Sequence, residues 1–396
     1  MVVFYFKKRF IRIFFLILVL IIICPIVIRR RLYLPAVTDT YGLRPEFPPL
    51  VLLPGADRGP RVYAGAAVLI ESKSGAIMYA KNADQRRAPA STTKIMTAIV
   101  ALEKGDLRQI ITVSPRAART GGSTIHLKPG DRLRLKELLE GVMLRSGNDG
   151  SMAVAEGVAG SIEKFTELMN LKAKEIGAVN TNFRNPHGLR APSHYTTALD
   201  LALMARYGLS NRRFADLVKK KTAFLEWEER RKRVEIMNTN RLLWFLEGAD
   251  GVKTGTTNEA GHCLVASATR DQKQLIAVAL NSADRWGDCR RLLEYGFQEF
   301  EILRIAVARR AAAKIKVKNG WPRSIDLYPR SDLTAVVRKG DIEKISPQIT
   351  IFRDLAKAPL KPGETLGEIG YLYQGRMVHK VDLINLQPVR KSWRLW

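Results

Sequence analysis

At 396 residues the chain is longer than one compact core usually accommodates, so two folded units plus appendages are expected. A hydrophobic share of 46% and a charged share of 26% exclude a disordered chain. With 65 Lys+Arg against 38 Asp+Glu, a formal +27, the expected partners are polyanions, or else the basic surface is simply solvated.

No zinc-finger, helix-turn-helix or basic-zipper pattern accompanies this charge, so nucleic acid is not the expected partner. Anionic lipid and anionic cell-wall polymer remain. From the N-terminus, Ile13 to Ile28 is an uninterrupted apolar run preceded by Lys7, Lys8 and Arg9 and followed by Arg29, Arg30 and Arg31. A cleaved signal peptide has a shorter apolar core and small residues at its exit. Here the exit is bulky and basic, so residues 1–31 read as an uncleaved signal anchor whose flanking bases snorkel. Both flanks are basic, so charge alone does not set its topology. Cys24 follows Ile23 rather than the small residue that a lipidated cysteine needs, and reads as apolar filler.

Residues 32–61 carry Pro35, Pro45, Pro48, Pro49, Pro54 and Pro60 and read as an extended linker. The stretch 63–80 predicts two strands around a turn at Ser72-Lys73-Ser74-Gly75. Pro89 then precedes a helix that Gly105 ends. Helical spacing recurs at 133–144, 150–159, 161–176 and 196–208. The basic stretch 211–236 is helix-like and reads as an inserted surface element with a solvated charged face. Strands flanking Asp271-Gln272 predict a hairpin, and a helix follows over about 287–300. Beyond about 308, short alternating segments split by Gly, Pro and Asp predict a small all-β domain. Cys263 and Cys289 have no metal-ligand spacing and read as two buried free thiols, with a disulfide the less favoured alternative. No metal or cofactor is implied.

Three short motifs occur in order: Ser91-Thr92-Thr93-Lys94, Ser146-Gly147-Asn148 and Lys253-Thr254-Gly255. Each alone is a weak signal; the ordered triple is a strong one. Ser91 at a helix start has Lys94 on its face one turn on. A serine hydroxyl needs a base to take its proton. Lys94 serves only if its pKa falls, which burial and a second ammonium, Lys253, would achieve. The helix start also offers backbone N–H groups to developing negative charge. Ser146 and Asn148, at a turn between helices, suit proton relay to a leaving amine and a hold on a substrate amide. Lys253 and Thr254 on an edge strand suit a carboxylate, and Gly255 lets a peptide approach.

The triple resembles the signature shared by penicillin-binding proteins and class A β-lactamases. The stretches APASTTKIMTA, LKPGD, LRSGNDGSMAVAE, HYTTALDLA and ADGVKTGTTNEAGHCLVASATR narrow the resemblance to the low-molecular-mass penicillin-binding proteins, the serine-type D-alanyl-D-alanine carboxypeptidases. PLKPGETLGEI is similar to that family's C-terminal β domain. The resemblance implies an α/β (α+β) serine-transferase/β-lactamase-like catalytic domain over 62–304, a β-sandwich-like domain over 305–390 and a short basic, Trp-bearing tail over 391–396. It implies acylation of Ser91 by the penultimate D-Ala of a peptidoglycan stem peptide, an oxyanion hole from the N–H groups of Ser91 and Thr256, and covalent inhibition by β-lactams. Arg241 matches a position that helps to bind the terminal carboxylate. His187 in NPHGL reads as structural, and His126 as a local substitution.

The implied place is the outer side of a bacterial cell membrane. The family usually attaches through a C-terminal amphipathic helix, and VRKSWRLW is too short to form one. Three other readings compete. A β-lactamase would need a deacylating carboxylate, for which Glu167 is a poor candidate inside a helical run. A DD-endopeptidase would use the same machinery on cross-links. A non-catalytic, penicillin-sensing or wall-binding protein would not need Ser91, Lys94 and Lys253 intact.

Overall fold

The computed structural model describes residues 47–228, 233–352 and 355–392. The expected anchor at 13–28 and most of the tail lie outside them, and among the described residues no helix is long and apolar enough to cross a membrane.

The first strand, β1 (Val51–Leu52), pairs in parallel with β3 (Ala76–Lys81), which pairs with β2 (Ala66–Glu71). The last part of the expected linker is therefore docked rather than extended, with Leu53 and Ala56 buried. The β2–β3 turn falls where the sequence puts it. Its backbone is held by the Glu71 carboxylate, which accepts from Lys73 N and Ser74 N. From the other side Arg206 donates to Lys73 O and Pro48 O at 2.7 Å.

A 3-10 turn at Ala90–Thr93 leads into α1 (Lys94–Lys104). The next elements are β4 (Ile110–Thr112), α2 (Pro115–Ala118), β5 (Arg132–Arg134), α3 (Leu135–Leu144), α4 (Asn148–Ala159), α5 (Ile162–Ile176) and α6 (Ala198–Ser210). Ser161 and Thr197 cap α5 and α6 by accepting backbone N–H groups, and Gly160 and Gly177 end α4 and α5 in the left-handed conformation.

The stretch 211–236 departs from its helical reading. Among its described residues only α7 (Arg212–Val218) is helical, and β6 (Thr222–Glu226) and β7 (Arg233–Met237) pair antiparallel as a hairpin. Ala223 and Leu225 are buried while Thr222, Phe224 and Glu226 are exposed, a period of two that the dense charge around it hides. Buried Trp227 anchors the hairpin through its indole N–H to Asp131, 3.0 Å away.

After α8 (Leu242–Phe245) come β8 (Ala249–Thr257), β9 (Gly261–Arg270) and β10 (Lys273–Leu280), then α9 (Arg285–Glu299). Asp271 and Gln272 both take positive φ, as a two-residue hairpin turn requires. The sheet order is β1-β3-β2-β10-β9-β8, which leaves β8 at an edge. Its central strands read as continuous apolar runs because both faces are covered. Val68, Ile70, Val265 and Val278 pack into one core with α1, α3, α4, α5 and α6. Their neighbours Leu69, Leu264, Ala266 and Ala277 pack into a second core with Leu292 and Leu293 of α9.

That second core continues into the C-terminal β region. There β11 (Phe300–Ala306), β12 (Ala313–Lys318), β13 (Gly320–Trp321), β14 (Ser324–Pro329), β15 (Leu333–Arg338), β16 (Ile345–Ile351), β17 (Leu355–Lys357), β18 (Thr365–Tyr373), β19 (Arg376–Ile384) and β20 (Arg390–Lys391) follow in turn. A six-stranded sheet runs β16-β18-β19-β14-β12-β17, and β11 pairs with β15. The chain is thus a mixed α/β unit followed by an all-β region. Arg338 bridges them, donating to Gly55 O at 3.2 Å and to the Tyr295 hydroxyl at 2.7 Å.

Candidate active site

Ser91 lies in the 3-10 turn that opens α1, and Lys94 is the first residue of the helix proper. The lysine is fully buried. Its Nζ lies 3.0 Å from Ser91 Oγ, 2.7 Å from Asn148 Oδ1 and 2.7 Å from His187 O. A neutral amine has two N–H donors and one lone pair. Asn148 Oδ1 and His187 O are pure acceptors and take both donors, which leaves the lone pair for the serine hydroxyl. Burial, and then the charge of Lys253, hold the Lys94 pKa well below its ordinary value, and Asp149 opposes them. The neutral, proton-accepting form is the one this environment favours.

The second wall is the turn between α3 and α4. Ser146 adopts φ +67, a conformation that costs a non-glycine residue on the order of 1 kcal/mol. Its buried hydroxyl has no hydrogen-bond partner among the described residues. A buried hydroxyl left unpaired at a strained position belongs to a site rather than to a core. Asn148 turns out to be more occupied than its motif implies. Besides accepting from Lys94, it donates Nδ2 to Gly121 O at 2.7 Å, so one N–H is left for a substrate. Orienting Lys94 is its evident structural task. The neighbouring Asp149 accepts from Ile125 N at 3.1 Å and Leu127 N at 3.0 Å and so shapes the loop that carries His126. His126 itself sits exposed at φ +59.

The third wall is the edge strand β8, as its motif predicts. Lys253 is buried, and its Nζ donates to Thr254 O at 3.1 Å. Burial first, and Arg285 second, lower its pKa to about 7. Thr254 Oγ1 lies 2.8 Å from Thr239 Oγ1. Gly255 has a use that the sequence does not show. A Cβ there would meet Ser91 N at 3.0 Å, Ala90 Cβ at 3.1 Å and Thr92 N at 3.1 Å, so the missing side chain lets β8 lie against the nucleophile turn.

Arg285 is one residue that sequence reasoning missed. Its Nη1 donates to Gly255 O at 2.8 Å and to Thr256 Oγ1 at 2.7 Å, which puts a guanidinium beside the third motif. A cation in the first turn of α9 opposes the helix dipole, and that misfit is the signal that could have flagged it. Arg241 is exposed at the start of α8, and its charge acts on Arg285. His187 contributes its backbone carbonyl to Lys94. Its ring accepts from Leu189 N at 3.1 Å, and burial lowers its pKa to about 3. Cys263 and Cys289 are free and buried.

Residues 55–284 match the family model described as D-alanyl-D-alanine carboxypeptidase, and residues 300–391 match that of the penicillin-binding protein 5 C-terminal domain. The first match alone spans more than half of the chain. The chain belongs to the D-alanyl-D-alanine carboxypeptidase family. This carboxypeptidase is 36% identical to the D-alanyl-D-alanine carboxypeptidase DacF of Bacillus subtilis over 83% of its own length and 86% of the relative's. It is 34% identical to DacC of Escherichia coli over 85% of its length and 88% of the relative's. Among solved structures it is similar to penicillin binding protein 5 from Haemophilus influenzae, with a TM-score of 0.77, 30% identity, and 84% of this chain and 99% of that one covered. The β-lactamase reading loses its remaining support. Glu167 lies within α5, and Asn170 beside it is spent on the backbone of Phe183, at 2.7 and 2.9 Å.

Proposed function

We propose that the enzyme removes the terminal D-Ala from peptidoglycan stem peptides ending in D-Ala-D-Ala, through an ester on Ser91. The observation that carries this reading is the buried Lys94 amine, whose two donors are occupied and whose remaining contact is Ser91 Oγ. Ser91 Oγ attacks the penultimate carbonyl carbon while Lys94 takes the hydroxyl proton. The backbone N–H groups of Ser91 and Thr256 receive the oxyanion. The C–N bond breaks as Ser146 relays to the departing D-Ala amine the proton that Lys94 took, which leaves Lys94 neutral again. Water then attacks the ester, Lys94 accepts its proton and passes it to Ser91 Oγ as the ester bond breaks, and the shortened peptide leaves. Lys253, Thr254 and Thr256 hold the terminal carboxylate; Arg285 supports them, and Arg241 adds charge at the entrance. The free N–H of Asn148 takes a substrate amide carbonyl.

β-Lactams present a strained amide to the same serine and form an ester in place. The test incubates the detergent-solubilised full chain with a diacyl-Lys-D-Ala-D-Ala peptide, and separately with benzylpenicillin, and follows both by mass spectrometry. Release of one D-Ala and a stable adduct on Ser91 are expected. No product together with no adduct would refute the reading.

We place the catalytic unit on the outer side of the bacterial cell membrane, held by residues 13–28, with 62–304 catalytic, strand β1 docked ahead of it, and 305–390 a β domain that shares its second core. The apolar run between basic flanks supports the anchor, and the net charge of +27 supports contact with anionic lipid or wall polymer.

A further inference from the structure

The loop Phe183–Leu189 is fastened to the start of α1 at three points. Two engage α1 itself: Lys94 Nζ meets His187 O at 2.7 Å and Thr97 Oγ1 donates to Pro186 O at 2.6 Å. The third reaches the nucleophile turn from just beyond the loop, where His194 Nε2 lies 3.0 Å from Thr93 Oγ1. Its hydrogen bonds run in one direction. Arg184 N–H donates to His194 Nδ1 at 2.9 Å, so that nitrogen carries the lone pair and the ring proton sits on Nε2. Nε2–H therefore donates to Thr93 Oγ1, and the threonine hydroxyl donates to Ala90 O at 2.9 Å. Burial, with a smaller contribution from Arg184, lowers the His194 pKa to about 4, so the ring stays neutral as this chain requires.

The end of the chain is the reason to assign it a task. Ala90, the residue before Ser91, holds φ +47, a left-handed conformation that alanine avoids. Its carbonyl is pressed against Gly188, where a Cβ would come within 1.8 Å of Ala90 O and 2.9 Å of Thr93 Oγ1. A strained turn persists only where its surroundings over-determine it. Here one side is the bare Cα of Gly188 and the other is the Thr93 hydroxyl, which is itself oriented by His194.

We propose that His194 is a positioning residue for acylation: through Thr93 it holds the Ala90 carbonyl, and with it the turn that sets Ser91 against β8 and Lys94. This rests on Ser91 being the acylated residue. It predicts that the two ring nitrogens are separable. The side-chain amide of Gln reaches the Nε2 position and can still donate to Thr93, whereas Asn replaces only the Nδ1 acceptor.

The test uses the full chain and stopped-flow acylation by benzylpenicillin, which separates the limiting acylation rate from the prior binding constant. H194N and T93V should lower the limiting rate on the order of 30- to 100-fold, with binding changed less than about threefold. H194Q should lose less than about fivefold in rate, although its melting temperature falls as far as that of H194N. The T93V/H194N double variant should be no slower than the slower single variant, because both break one chain. Equal losses in H194Q and H194N, losses confined to binding, or multiplying losses in the double variant would each overturn the inference alone. A wild-type protein without a Ser91 adduct would overturn the assignment of Ser91 and this inference with it.

Discussion

Replacing Lys253 by Met should make the protein more stable and less active, and the gain should depend on pH with a defined sign. The lysine is buried, with its pKa near 7 against an ordinary 10.5. Between those values the unfolded chain binds a proton that the folded chain does not, so wild-type stability rises with pH across this window. Below pH 7 both states are charged, and the folded state bears the whole cost of the buried ammonium. That pKa difference corresponds to about 5 kcal/mol at pH 6, falling to about 1 kcal/mol at pH 9.5.

Met fills similar volume without charge. It forgoes the hydrogen bond to Thr254 O, worth about 1 kcal/mol, and relieves the repulsion on Lys94. Allowing half of the electrostatic figure, K253M should gain about 2 kcal/mol at pH 6, or about 4 °C in melting temperature, and nothing at pH 9.5. Urea unfolding at the two pH values measures it. D-Ala release should fall about 100-fold with the loss of the carboxylate-binding cation. A variant no more stable than wild type at pH 6, or a gain that does not shrink with rising pH, would refute the reasoning.

G255A should slow acylation roughly 10- to 100-fold, since the new methyl group meets backbone atoms of the nucleophile turn at 3.0 and 3.1 Å and one wall must give. Stopped-flow acylation reads this, and an unchanged rate would show that β8 is free to move. Cys263 and Cys289 should resist thiol reagents in the native state, because both are buried and burial raises their pKa; titration before and after unfolding checks this. A chain lacking residues 1–31 should leave the membrane fraction, and persistence there would place the attachment elsewhere.

What could be read from the sequence and what could not divide along a physical line. Ser91 and Lys94 are one helical turn apart, so their meeting follows from helix geometry alone. The strands of the central sheet announced themselves because both faces are buried and their middle residues are nearly all apolar. The β6–β7 hairpin did not, because the charged residues in and around it mask a period carried by Ala223 and Leu225 in one strand and by Val234 and Ile236 in the other. Arg285 and His194 were missed for a different reason. Each acts on a motif far along the chain: the contact of His194 with a threonine 101 residues away leaves no local pattern, and Arg285 is marked only by its charge at the start of a helix.

Gly255 lies between these cases. Its place in a motif marks it, and the reading that a peptide must come close is sound chemistry, yet the atoms that first exclude a Cβ are those of Ser91, Thr92 and Ala90. The edge strand can bind a substrate beside the nucleophile only if it first lies against the nucleophile's own turn. One missing side chain meets both demands, and a methyl group there would disturb the turn before any substrate arrived. The strained Ala90, gripped by Thr93 on one side and Gly188 on the other, leaves that turn little room to yield.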